Sequence, residues 1–227
     1  GLHRLCGEVH LAHAHFLQGR ATEAAEVAEY ALHRCQARDA SPLELALAQT
    51  AASLAHIHDL SLLEGFRQLV EAYRTFDRLS VRYGVFVSGT LIALICLWAD
   101  LERQARRYLA EALALAAAEG YVQTIVTSRQ VLLPLMLFAL REGLEPRFVS
   151  QALAQMGPEP LTGVVEMTQS TDPRVRGRAA AALELIGAQE ETWKAALAAL
   201  ERLAYDPDPE VRAVAAQARR GLRSFSR

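Results

Sequence analysis

The chain has 227 residues, 52% of them hydrophobic but only 7% aromatic, and a formal net charge of −2. That balance carries no mark of a nucleic-acid or membrane-surface binder, and the longest apolar runs, 91–99 and 131–140, fall far short of the ~20 residues of a membrane span. Cys6, Cys35 and Cys96 stand far apart in no C-x-x-C pattern, as expected of reduced thiols in a cytoplasmic protein.

Apolar residues recur at helical spacing along the whole chain, with glycine and proline clustered between the periodic stretches. The pattern predicts helices over 2–18, 21–37, 42–58, 61–81, 85–99, 101–119, 121–142, 145–156, 159–170, 173–187, 190–204 and 208–223. The segment VRYGVFVSGT (81–90) is β-branched and glycine-containing, and reads as a helix–helix loop running into a helix start. VLLPLMLFAL (131–140) is apolar all round, so it is expected centrally in the stack or under a partner, with Pro134 kinking it. The run Gly157-Pro158-Glu159-Pro160 is short and proline-stiffened, a tight corner more than a flexible linker. With no initiator Met and a start inside a helical pattern, the chain is expected to be a piece of a longer protein.

Two internal periods organise these helices. At a shift of 36, Asp172, Pro173, Val175, Arg176, Ala179, Ala180 and Ala182 recur as Asp208, Pro209, Val211, Arg212, Ala215, Ala216 and Ala218. Leu161 and Val164 line up with Leu197 and Leu200 in the preceding helices. Asp as N-cap and Pro at the first helical position satisfy orphan N–H groups and preset φ. Over the first 157 residues a weaker period of 40–41 places Ala12, Ser53 and Ala93 in one column and Ala24, Gly65 and Ala105 in a second. A third column is Ala31, Ala72, Ala112 and Ala152. Small residues recur where helix must touch helix, because one hairpin cannot bury its own apolar face and has to stack.

The D-P-x-V-R-x-x-A-A frame, present twice, resembles the HEAT repeat, and residues 158–227 are expected to form that part. In HEAT repeats the Asp and Arg tie turns and neighbouring repeats together, which implies a structural role for Asp172, Arg176, Asp208 and Arg212. FLQGRATEAAEVAEYAL (16–32) and LWADLERQARRYLAEALALAAAEG (97–120) resemble the tetratricopeptide repeat, although Asp100 replaces the turn glycine in the second. Residues 1–157 are expected to form that part. The 40–41 period is similar to the helical-repeat domains of large bacterial regulators of the MalT-like, LuxR-related and antibiotic-regulatory-protein classes. The fold class expected is all-α, an α-solenoid of stacked antiparallel helix hairpins in a right-handed superhelix.

By analogy with tetratricopeptide folds, the first helix of each unit lines a concave groove. That resemblance implies a lining of Cys6, Val9, His13 and Phe16, then Leu47, Thr50, Leu54 and Ile57, then Val87, Thr90, Leu94 and Leu97. The mainly apolar composition suits a small-molecule or peptide groove and not a phosphate site.

Candidate chemistry is sparse. His3, Cys6, His10 and His13 share one helix stripe, but four ligands on one straight helix span about 15 Å and cannot converge on a tetrahedral metal. His15, His56 and Cys96 share a column of the 40–41 period and read as interior residues hydrogen-bonded to backbone. No G-x-S-x-G, Walker-type, H-E-x-x-H or G-x-G-x-x-G motif occurs. The arginines of the last helix, Arg212, Arg219, Arg220, Arg223 and Arg227, read as a solvated helix end or a contact to a neighbouring domain. The function expected is non-catalytic: protein interaction or effector sensing in a bacterial transcriptional regulator. No cofactor or metal is expected. The partners would be a protein or neighbouring domains of the same chain, and a small-molecule or peptide effector, with no direct nucleic-acid contact and no membrane. A stand-alone scaffold, or a HEAT-based DNA-binding or repair module, are the alternatives.

Overall fold

The structure, a computed structural model, describes residues 2–17, 20–58 and 61–225, without the side chains of His13, Leu17, Ala21, Ala55, Ile57, His58 and Phe225. The described residues form thirteen helices and no strand. They are α1 (Leu2–Leu17), α2 (Ala21–Gln36), α3 (Pro42–His58), α4 (Leu62–Arg78), α5 (Arg82–Trp98), α6 (Glu102–Glu119) and α7 (Val122–Thr127). The series continues with α8 (Arg129–Glu142), α9 (Pro146–Gln155), α10 (Leu161–Met167), α11 (Pro173–Ile186), α12 (Trp193–Leu203) and α13 (Pro209–Phe225). None of these helices is long and apolar enough to cross a membrane. The chain divides into two compact units, 1–115 and 116–227.

In the first unit each helix packs on its successor from α1 to α5, and the first helices of successive hairpins also meet, α1 on α3 and α3 on α5. This is the all-α solenoid pattern of stacked hairpins. Its core follows the small-residue columns of the 40–41 period. Ala12, Ser53, Ala93, Ala24, Ala105, Ala31, Ala72 and Ala112 are all buried, as is Gly65. The buried residues of one core cluster are all alanines, Ala12, Ala28, Ala51 and Ala52, with the half-buried Val9, Val27 and Leu32 packed against them, so small residues of α1, α2 and α3 meet there. Larger side chains fill the neighbouring layers: Leu5 with Ala31, Cys35 and Ala48, and Phe76 with Ala46, Ala72 and Val85.

The segment 81–90 is helical from Arg82 onward, earlier than its sequence suggests. Its glycines serve packing and not a loop. A Cβ on Gly84 would overlap the Phe76 ring, and one on Gly89 would lie 3.3 Å from Tyr73 and 3.5 Å from Ala112. Between α5 and α6, Asp100 takes φ 56°, the left-handed conformation that a turn glycine supplies in the repeat it resembles. Gly19, the corresponding glycine of the first hairpin, lies outside the described residues.

In the second unit α11 is central, packing on α8, α9, α10, α12 and α13. The expected helix over 121–142 is two helices, parted at Ser128 with φ −98° and ψ 20°. The chain then runs helically through Pro134. The break was not expected, and it falls six residues before Pro134, where only a kink was expected. The Asp-Pro starts are as expected. The Asp172 carboxylate accepts from Arg174 N at 2.8 Å, and that of Asp208 from Glu210 N at 2.8 Å and Val211 N at 3.2 Å. Val175, Ala179, Ala180 and Ala182 are buried, as are Val211, Ala215 and Ala218, which confirms the shared apolar stripe.

Candidate functional site

The row of first helices α1, α3 and α5 is the face on which the groove residues were placed. Cys6, Val9, Phe16, Leu47, Val87 and Leu97 are half-buried there. Val9 packs against the clusters centred on Leu5 and on Ala12, and Leu47 against those of Leu5 and Phe76, each side chain having one side on the core. Thr50, Leu54, Thr90 and Leu94 are buried. Thr50 donates to Ala46 O at 2.8 Å and Thr90 to Phe86 O at 2.7 Å, so both hydroxyls are spent inside their own helices. Surface on this row thus comes from the six half-buried residues, while the four buried ones back them. His13 and Ile57 lie outside the described side chains.

A different feature of the first unit escaped sequence reasoning. A depression of about 560 Å³ between α3 and α4 is lined by Leu45, Gln49, Glu71, Arg74, Thr75, Asp77 and Arg78. Gln49 Nε2 donates to Glu71 Oε2 at 2.9 Å across it, and Arg78 Nη2 donates to Thr75 Oγ1 at 3.2 Å. Charged residues three to four apart on α4 normally read as a solvated face. Only the neighbouring helix turns them into a wall.

The residues with chemical potential are held apart. His56 lies 3.3 Å from Gln68 Nε2 at its Nε2, and His15 is half-buried. Cys96 is buried, and burial pushes its thiol pKa up, the opposite of an activated nucleophile. Tyr73 donates to Glu111 at 2.5 Å; burial first, then that bond, raise its phenol well above the usual value. No group of three or more His, Cys, Asp or Glu converges on a metal-sized site among the described residues.

The strongest polar constellation is at the repeat turns of the second unit. Arg176 Nε and Nη2 form a two-pronged pair with the Asp206 carboxylate at 2.7 and 2.8 Å, the side chains only 12% and 5% exposed. Arg176 Nη1 also caps its own turn, donating to Ser170 O at 2.9 Å and Thr171 O at 3.2 Å. Asp206 further accepts from Asp208 N at 2.9 Å. The Arg176 hydrogen bonds are the main cause that holds the Asp206 carboxyl below its ordinary value. The 36-residue frame assigns Arg176 but not Asp206, because the equivalent position one repeat earlier is Ser170.

Residues 145–220 match the family model of HEAT repeats, a stretch that begins at α9 and includes both Asp-Pro turns. No curated protein and no solved structure is similar enough to extend that comparison.

Proposed function

We propose that this chain is a non-catalytic recognition module, in which a protein or a small apolar effector lies along the first helices α1, α3 and α5. The observation that carries this reading is the half-buried row Cys6, Val9, Phe16, Leu47, Val87 and Leu97, apolar and backed by a closed core. Half-buried apolar residues on successive stacked helices form the kind of extended surface that repeat proteins use for binding. HEAT repeats in the second unit fit the same class, since helical-repeat stacks of this type mediate protein interactions. In this reading the repeat type changes at Gly157-Pro158. The 40–41 period adds the finer reading of a bacterial transcriptional regulator in which the effector alters how the repeats engage a neighbouring domain. Three free cysteines fit a cytoplasmic setting.

Screening apolar peptides and small molecules against the isotope-labelled chain tests the reading. Bound hits are expected to shift the resonances of Cys6, Val9, Phe16, Leu47, Val87 and Leu97. Leu47→Glu, placing a charge at a partly exposed position, should weaken those hits tenfold or more by desolvating the carboxylate, on the order of 1.4 kcal/mol. Hits confined to α2 and α4 would show that the first helices are not the binding face.

A further inference from the structure

The α3–α4 depression is a charged cavity that the row of first helices does not use. Glu71, Arg74, Thr75 and Arg78 stand at i, i+3, i+4 and i+7 on α4, so they line it as one stripe, with Asp77 beside them. Leu45 and Gln49 of α3 form the opposite wall. Both lie about 160° around that helix from Leu47, away from the first-helix row. A volume of about 560 Å³ is within the range of small-ligand sites, about 300–1,000 Å³.

The charges in this cavity do not neutralise one another. Opposite charges three residues apart do meet elsewhere on α4, where Arg67 Nη1 lies 3.1 Å from Glu64 Oε2. Glu71 and Arg74 repeat that order and spacing, but Glu71 Oε2 is taken by Gln49 Nε2 from the facing helix at 2.9 Å. Arg78 is folded back along its own helix. Its Nε donates to Arg74 O at 3.3 Å and its Nη2 to Thr75 Oγ1 at 3.2 Å. Asp77 follows Arg74 by three residues and does not close on it. Among the described residues, neither the Arg74 guanidinium nor the Asp77 carboxylate has a hydrogen-bond or ion-pair partner. An open cation and an open anion thus line one cavity.

That lining selects for a molecule with both signs of charge. A simple anion would meet Glu71 and Asp77, and a simple cation would meet Arg74 and Arg78. A short skeleton bearing a carboxylate and an ammonium satisfies both, through charge-assisted hydrogen bonds. Leu45 is half-buried, one side on the Leu5 cluster, and offers its other side to an aliphatic group. We propose that the α3–α4 depression binds a small zwitterion of the amino-acid class, a free aliphatic amino acid or a dipeptide, with its carboxylate on Arg74 and its ammonium on Asp77. This site does not depend on the reading of the first-helix row.

Titration of the isotope-labelled chain with L-leucine and with the dipeptide Leu-Leu tests the proposal. Either probe is expected to shift the resonances of Leu45, Gln49 and Thr75 and to leave those of Cys6 and Val87 in place. The tighter of the two identifies the source as a free amino acid or a dipeptide. Acetylating the amine or amidating the carboxylate of that probe should each weaken binding tenfold or more. Arg74→Gln and Asp77→Asn are substitutions at exposed positions, so the melting temperature should hold while affinity falls about tenfold in each. Arg67→Gln, outside the cavity, should bind as the natural chain does. The proposal is overturned if neither probe shifts these residues, if a blocked probe binds as well as the free one, or if either cavity variant keeps full affinity. Inorganic phosphate binding as tightly as the zwitterions would also overturn it, by assigning the site to anions. Zwitterion binding that survives Leu47→Glu separates this site from the first-helix face.

Discussion

Replacing Gly84 by alanine sets two effects of opposite sign against each other. In a helix, Gly→Ala gains up to about 1 kcal/mol by restricting the unfolded chain and shielding backbone. At Gly84 the added methyl would strike three carbons of the Phe76 ring, Cγ and both Cδ, near the root of the side chain and not at a flexible tip. Phe76 is 1% exposed within a closed cluster, so the ring has nowhere to swing. Overpacking of this kind costs about 1–3 kcal/mol, and contact at three ring atoms puts Gly84→Ala in the upper half of that range. The net expectation is a loss of about 1–2 kcal/mol, with a melting temperature lowered by roughly 4–8 °C per kcal/mol. Gly7→Ala is the control, since an added Cβ there meets nothing within 4 Å and should stabilise. The chain has two tryptophans, one in each unit, so a Trp193→Phe background makes Trp98 fluorescence report the first unit alone. In a further Phe76→Leu background the Gly84→Ala penalty should shrink by half or more. If Gly84→Ala stabilises as Gly7→Ala does, or costs the same with leucine at 76, the packing argument fails.

Asp172→Ala and Asp208→Ala should each cost about 1 kcal/mol by removing an N-cap acceptor, read as a shift in denaturation midpoint, whereas Asn at either position should restore most of it. Acid should destabilise the second unit through Asp206: its carboxyl is depressed in the folded state, so its contribution is complete above the unfolded value of about 4 and is lost as pH falls through the lower folded value. Unfolding followed by Trp193 fluorescence should therefore show a steeper acid decline in the natural chain than in Asp206→Asn, and parallel pH profiles would refute that. Arg176→Gln should lower the melting temperature of the same unit without changing peptide binding to α1, α3 and α5, and a selective binding loss at unchanged melting temperature would contradict its framework role.

The helical architecture was legible because both periods are written in burial. The small-residue columns, and the valine and alanine positions of the 36-residue frame apart from the half-buried Ala216, are closed in the structure, from Ala12 to Ala218. Errors arose where one residue type has two uses. Gly84 and Gly89 resemble loop residues, but here a missing side chain admits an aromatic ring from the neighbouring helix. The division of 121–142 at Ser128 was missed because serine there is unremarkable in its local sequence. The candidate site was legible only as a face. Helical spacing placed Leu47 and Leu54 on one row, but the depth of each within it depends on which neighbour covers it. The α3–α4 depression and the Arg176–Asp206 pair join residues 22 and 30 positions apart, beyond the reach of periodicity.

The alanine contact between α1, α2 and α3 bears on how such a chain changes over generations. A seam of buried methyl groups disfavours a larger side chain, because added carbons would have to displace buried neighbours. It has little quarrel with a substitution of equal size: Ser53 holds a column place beside Ala12 and Ala93, its hydroxyl donating to Thr50 O at 2.7 Å. Selection acting there preserves volume and lets chemical identity drift. The Asp-Pro and Arg positions of the second unit are held instead by directed hydrogen bonds that few other residues can make. Lineages of the first unit would then retain a ladder of small residues and little else in common, a record of dimensions and not of letters.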